Sequence, residues 1–233
     1  LLARRAGQNE LVESLSTLAR LVEEVRDRSL GLRMVQIGGT FQRFQRVVRE
    51  VSRELGKDVT LAISGAETEL DKSVLERIGD PLMHLVRNAM DHGIESPDVR
   101  VNAGKTARAT LSLHAYHDSG SIVIEVADDG AGLDRDRLLE RAVQTGLVQP
   151  DHSLSDQEVL QLIMEPGFST AQSVTNVSGR GIGMDVVRRN IESLRGSVAI
   201  DSEPGRGTFV ALRLTLTWAM SQPPSSTTWC DGM

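Results

Sequence analysis

The sequence has one cysteine, Cys230, so neither a disulfide framework nor a thiolate metal cluster can form within the chain. That fits a reducing cytoplasm. No stretch reaches the run of about 18 apolar residues that a membrane-crossing helix requires. The start, Leu1-Leu2-Ala3-Arg4-Arg5, lacks the long apolar core of a signal peptide. Positive charge is not in excess either: the formal net charge is -6, which speaks against a general nucleic-acid binder. With 39% hydrophobic and 25% charged residues among 233, the composition is that of a soluble protein of one or two domains. Because the first residue is not methionine, the chain is expected to be part of a longer protein.

Two apolar series open the chain. Leu11, Leu15, Leu18, Val22 and Val25 recur at steps of four and three, and so do Ile37, Phe41, Phe44, Val48, Val51 and Leu55. Gly38-Gly39 separates them, Thr40 is a cap for the second, and Arg43, Arg46, Arg49 and Arg53 fall on a solvated face. Seams this narrow predict a helical hairpin that pairs with a second copy in a four-helix bundle, with packing against the rest of the same chain as the plain alternative. The expected domains are a dimerisation hairpin over 1–57, a second domain over 58–217 and a disordered tail over 218–233.

The second domain reads as α+β. Val59–Ile63 is β-prone, and 71–90 is helical but divided at Pro81, with Asp80 as cap. Leu111, Leu113 and Ala115 alternate with polar residues, as do Ile122, Ile124 and Val126, around the turn Asp118-Ser119-Gly120, which predicts a hairpin. Helices are expected over 135–145, over 155–164 behind a Ser155/Glu158 capping box, and over 184–194. Strands are expected over 198–200 and 208–214. The architecture that follows is an α/β sandwich, helices on one face of a mixed sheet.

Three clusters carry chemistry. His84, Asn88, Asp91 and His92 share one helical face, where an asparagine oxygen can ligate magnesium and histidines can bond phosphate. Asp128-Asp129-Gly130-Ala131-Gly132 follows a buried strand, where a carboxylate can accept a base amino proton beside two small residues. Gly179-Arg180-Gly181-Ile182-Gly183 runs into the helix that starts at Met184, a site for an anion. Each signal alone is weak, and a solvated helix face, an acidic turn and a flexible loop are the plain alternatives. Their order, with Phe168-Ser169-Thr170 and Gly205-Arg206-Gly207-Thr208 between and after, is more specific.

That order resembles the GHKL ATPase fold of histidine kinases, type II topoisomerases, mismatch-repair proteins and a heat-shock chaperone, over about 59–216. The strings His84-Leu-Val-Arg-Asn88-Ala-Met-Asp91-His92-Gly93-Ile94-Glu95, Pro166-Gly167-Phe168-Ser169-Thr170 and Ser178-Gly-Arg-Gly-Ile-Gly-Met-Asp185 are similar to the chemotaxis histidine kinases of the CheA family. The stretch from Leu32-Arg33-Met34-Val35 through Glu54-Leu55-Gly56-Lys57 is similar to that family's dimerisation hairpin. Gln36 and Gln45 stand where the family usually has proline, and the tail from Ser221 departs from its regulatory domain.

The resemblance implies ATP and magnesium as cofactors. Asn88 would ligate the metal, His84 and His92 would contact phosphates, and Asp128 would take the adenine amino group beside Gly130 and Gly132. Gly179, Gly181 and Gly183 would form the lid and phosphate loop. Asp91, Arg137, Ser169, Thr170, Met184 and Thr208 would complete the nucleotide site. The hydrolysing members of the superfamily carry a base glutamate where this chain has His84, so transfer to a protein acceptor is the implied reaction. Residues 1–83 contain no histidine, so the acceptor histidine would sit on a separate phosphotransfer domain. The implied partners are a second copy, that domain, a response regulator, and an adaptor with chemoreceptors. An ATP-hydrolysing switch and a non-catalytic dimer scaffold remain as alternatives.

Overall fold

The computed structural model describes residues 13–22, 24–25, 33–149, 154–166, 168 and 183–215. Residues 13–22 form a helix, α1. After it come β1 (Met34–Gln36), α2 (Gly38–Leu55), β2 (Val59–Ser64), β3 (Glu69–Asp71) and α3 (Lys72–Asn88). A π-helical turn (Ala89–Gly93), α4 (Pro97–Asn102), β4 (Ala109–Asp118) and β5 (Ser121–Asp128) follow. The described chain ends with α5 (Arg135–Gln144), α6 (Asp156–Gln161), a 3-10 turn (Leu162–Met164), α7 (Met184–Ser193), β6 (Gly196–Glu203) and β7 (Gly207–Thr215). Among the described residues, no helix is long and apolar enough to cross a membrane.

Alternation along the strands builds one mixed sheet in the order β2-β4-β5-β7-β6, parallel only between β2 and β4. The β4–β5 hairpin closes at Ser119 and Gly120, both with positive φ, which turns the chain in the sense that strand twist favours. Its inward residues Leu111, Leu113, Ala115, Ile122, Ile124 and Val126 are buried. They join Val210, Leu212 and Leu214 of β7, and α3 and α7 cover this face. Each fully buried leucine, isoleucine or valine among them contributes roughly 1.5–3 kcal/mol by leaving water. The opposite face exposes Thr60, Ala62, Ala199, Phe209 and Arg213. The expected α/β sandwich with helices on one side is what forms.

Among the described residues before 58, α2 packs otherwise than the second helix of the expected hairpin. Phe41, Phe44, Val48 and Val51 of α2 are buried in the same core as the sheet, and α2 contacts β2, α3 and the π turn. Its apolar seam is therefore covered within the chain. Residues 34–36 are a strand paired with β3 rather than helix, and α2 starts at Gly38 behind Ile37, which gives no side-chain cap, so Thr40 does not serve there. Gly56 ends α2 in the left-handed conformation, as the Gly56-Lys57 break implies. Among the described residues of the first series, Leu15, Leu18, Val22 and Val25 are all more than half exposed.

Candidate active site

Helix α3 delivers the first cluster. Asp71 caps it by accepting from the Ser73 N–H at 2.7 Å, and the helix then runs through Pro81 without a break. Proline removes one backbone donor there, yet Pro81, Ile78, Leu82, Leu85 and Val86 are buried, and that packing holds the helix in one piece. The expected division at Asp80-Pro81 does not occur. Past Asn88 the helix widens into the π turn, which spreads residues over a larger arc than α-helix does. Asn88 and His92 then line a cavity, whereas Asp91 is exposed and does not. The Lys57 ammonium donates to the Met90 and Asp91 carbonyls, the latter at 3.1 Å, and pins the end of the turn. Burial holds its pKa below the usual lysine value, with Asp91 and Glu95 opposing the shift.

The cavity of ≈ 160 Å³ is walled by Leu85, Ala89, Val126, Leu133, Ile163, Phe168, Ile200 and Val210, and its polar groups are few. Common small-ligand sites run from roughly 300 Å³ upward, so this enclosed part suits one ring system of a larger ligand. Strand register sets its floor: Asp128 pairs with Thr208, and Val126 pairs with Val210, which in turn faces Ile200. Period-2 alternation puts all five side chains on the covered face.

At one end, the Asn88 amide nitrogen lies 3.0 Å from His84 Nε2 and 3.6 Å from Met184 Sδ. An amide nitrogen only donates, so Nε2 accepts and the His84 ring proton sits on Nδ1. Burial lowers the His84 pKa, with His92 adding to the shift and Asp185 opposing it, so the imidazole is neutral at pH 7. With its nitrogen engaged, Asn88 has its Oδ1 lone pairs left for a hard cation.

At the other end, Asp128 accepts from the Gly130 N–H at 2.9 Å. Burial pushes its pKa up to about 6, backbone N–H groups of Gly130 and Thr208 oppose this, and Asp129 and Glu95 add to it. A half-buried carboxylate at the end of an apolar slot is an acceptor for an amino group on a flat ring. Gly130 is needed here for a reason other than ligand approach: a Cβ would meet the Gly93 carbonyl oxygen at 2.1 Å. Gly132, at φ +72, lines the cavity.

The structure thus brings Asn88, His92, Asp128, Gly132, Gly183, Met184 and Thr208 to one cavity. His84 stands behind Asn88, and Gly130 braces the turn. Arg137 is exposed on α5 and is not part of the lining, because Leu138 and Ala142 of that helix face inward instead. Ser169, Thr170, Gly179 and Gly181 lie outside the described residues. The apolar walls were visible in the sequence only as core positions. Arg100, 1% exposed beside the Asp128 turn, carried no sequence signal at all.

Residues 77–217 match the family model of histidine kinase-, DNA gyrase B-, and HSP90-like ATPases. The chain is 50% identical over 209 residues to the chemotaxis protein CheA of Treponema pallidum, covering 90% of this chain and 26% of that protein. It is 48% identical over 226 residues to CheA of Klebsiella aerogenes, covering 94% and 34%. The chain therefore spans about a quarter to a third of the length of these curated relatives. In fold it is similar to the catalytic domain of the histidine kinase ThkA, with a TM-score of 0.51 at 13% identity over 78% of this chain and 93% of that one.

Proposed function

Since the chain belongs to the histidine kinase-, DNA gyrase B-, and HSP90-like ATPases and its ATPase domain is of the CheA type, we propose that it binds Mg-ATP in the Asn88–Asp128 cavity and passes the γ-phosphoryl group to a histidine on a separate phosphotransfer domain. The observation that carries this is the polarity of the cavity: a cation-ready oxygen on Asn88 at one end, an ionisable acceptor on Asp128 at the other, and an apolar slot between. Adenine would lie in the slot with its amino group on Asp128 and the phosphates toward Asn88, His92 and the start of α7. The α7 N-terminus at Met184, where Gly183 gives no side-chain cap, lines the cavity at that end.

Asn88 Oδ1 fits magnesium, which in nucleotide complexes takes one or two protein ligands and completes its shell with phosphate oxygens and water. When bound, the ion would neutralise charge developing on the transferred group. The chain's own part is orientation. His84 fixes the Asn88 amide and, being neutral and engaged through Nε2, is not placed as a base for water. A nitrogen of the acceptor imidazole would attack the γ-phosphorus while the bond to the β–γ bridging oxygen breaks and ADP leaves. Phosphoryl transfer rests mainly on such positioning.

The open α1 stripe of Leu15, Leu18, Val22 and Val25 supports pairing of two copies through that segment. A response regulator would then receive the phosphoryl group, and an adaptor with chemoreceptors would be the upstream partners. Adding a phosphotransfer domain and labelled ATP to the purified chain tests the proposal. Acid-labile, base-stable label on the acceptor is the expected result. Tight ATP binding with label released only as free phosphate would instead favour a hydrolysing switch.

A further inference from the structure

Beside the cavity lies an ionic cluster that the proposed transfer does not use. The guanidinium of Arg100 donates from Nε to the Thr106 carbonyl at 2.9 Å. Its Nη1 donates to Glu95 Oε2 at 3.1 Å and to the Asp129 carbonyl at 3.0 Å, and Nη2 lies 3.1 Å from Asp129 Oδ2. Lys105 Nζ donates to Glu95 Oε1 at 2.9 Å, to the Asp129 carbonyl at 3.0 Å and to the Gly130 carbonyl at 2.6 Å. Taking a buried guanidinium and a partly buried ammonium out of water is unfavourable unless their donors find acceptors, and apolar side chains of similar volume often stabilise as well or better. What charge does here that an apolar cluster cannot is to grip the backbone carbonyls of the turn after Asp128.

One peptide unit links this grip to the cavity. The Asp129 carbonyl oxygen, held by both cations, and the Gly130 N–H, which donates to Asp128 Oδ1, belong to the same planar trans peptide and point in opposite directions. Fixing the oxygen therefore aims the N–H at the carboxylate, and two positive charges on the oxygen polarise that N–H toward stronger donation. The unit cannot rotate without breaking the two charge-assisted bonds to its oxygen, and Lys105 also holds the carbonyl of the next peptide, that of Gly130.

We propose that Arg100, Glu95 and Lys105 form a positioning clamp that sets the base preference of the cavity by locking the orientation of the Asp128 carboxylate. The inference rests on the reading of the cavity as an adenine site. A fixed carboxylate accepts from the 6-amino group of adenine and repels the 6-oxo group of guanine. A carboxylate free to turn away loses both the attraction and the repulsion. The clamp residues touch no ligand and act through the peptide between Asp129 and Gly130.

The test is the affinity of the 233-residue chain for Mg-ATP and Mg-GTP by calorimetry, in wild type, Lys105→Met, Lys105→Arg and Glu95→Gln. Loosening the charge-assisted bond from the adenine amino group to Asp128 predicts about tenfold weaker ATP binding in Lys105→Met, with GTP binding changed far less, so the ATP-to-GTP ratio narrows. Lys105→Arg keeps a cation and restores most of the ratio. Glu95→Gln, which keeps side-chain volume, narrows it in the same direction and serves where Lys105→Met fails to fold. Arg108→Ala, which breaks an exposed ion pair with Asp58 on the same side, leaves the ratio alone. An unchanged ratio in both Lys105→Met and Glu95→Gln overturns the clamp, as does an equal loss of both nucleotides, the mark of a structural role only. A wild-type chain without ATP binding overturns the adenine-site reading and the clamp with it.

Discussion

Asn88 and His84 sit one helical turn apart on α3, and the 3.0 Å contact between the amide nitrogen and Nε2 decides which atom of the asparagine is left for a cation. Without His84 the amide is free to turn over and present its nitrogen. His84→Ala is expected to weaken Mg-ATP binding by about tenfold, the worth of one hydrogen bond that orients a ligand-bearing group. Nucleotide binding without magnesium should hardly change. Paired titrations with and without the metal check this, and an equal loss in both would mean that His84 acts on the nucleotide and not through Asn88.

Asp128 gives the site a pH dependence with two signs. Its folded pKa, about 6, lies above the 3.8 of an unperturbed aspartate. Nucleotide binding needs the ionised form, so ATP affinity should fall as pH drops below 6, by about tenfold at pH 5. Asp128→Asn should lose that dependence and bind ATP about 10- to 100-fold more weakly at pH 7. The remaining slope in the variant reports protonation of the phosphates and provides the baseline for calorimetric titrations.

Folding stability runs the other way. A carboxyl whose pKa is raised on folding stabilises the native state below its unfolded pKa, and that contribution is lost as pH rises from 3.8 through about 6. At pH 7 the ionised Asp128 is a cost, of at most about 3 kcal/mol. Asp128→Asn removes it, so the nucleotide-free variant should melt several degrees higher than wild type at pH 7 and gain little at pH 4. Thermal unfolding at the two pH values measures the difference. A lower melting temperature at pH 7 would show that the Gly130 and Thr208 bonds to the carboxylate outweigh its burial.

Local signals were the legible part of this fold. The Ser155 and Glu158 capping box forms as its spacing implies, and the β4–β5 hairpin turns where Asp118-Ser119-Gly120 does. Partner choice was not legible. Phe41, Phe44, Val48 and Val51 repeat at threes and fours in the same way whether a helix pairs with a second copy or lies on its own sheet, and only the assembled core shows the second. The π turn that rotates Asp91 outward has no residue signature. Arg100 could not be singled out in the sequence because its acceptors come from Glu95, Thr106 and Asp129, which converge only when α4 packs beside the turn. Within the cavity, Asn88 and Asp128 could be singled out in the sequence because polar residues at element ends stand out, and Thr208 only through the family resemblance. The apolar walls could not be told from ordinary core.

The exposed seam of α1 should hold two copies together. Leu18 and Val22 are 59% and 61% exposed in the single chain and lie on the line that joins Leu15 to Val25. Burying such side chains is worth roughly 1.5–3 kcal/mol each, so replacing both with glutamate should raise the dissociation constant a hundredfold or more. Sedimentation at micromolar concentration should show dimer for the wild type and monomer for the Leu18→Glu, Val22→Glu variant. ATP affinity should be unaffected, since neither residue approaches the cavity. Substituting α2 is the informative contrast. Phe44 and Val48 are buried in the domain core, so Phe44→Ala should lower the melting temperature, at a cost of about 3–5 kcal/mol, without a specific effect on association. A stable monomer from the α2 change, or a persistent dimer from the α1 change, would return the interface to the second apolar series.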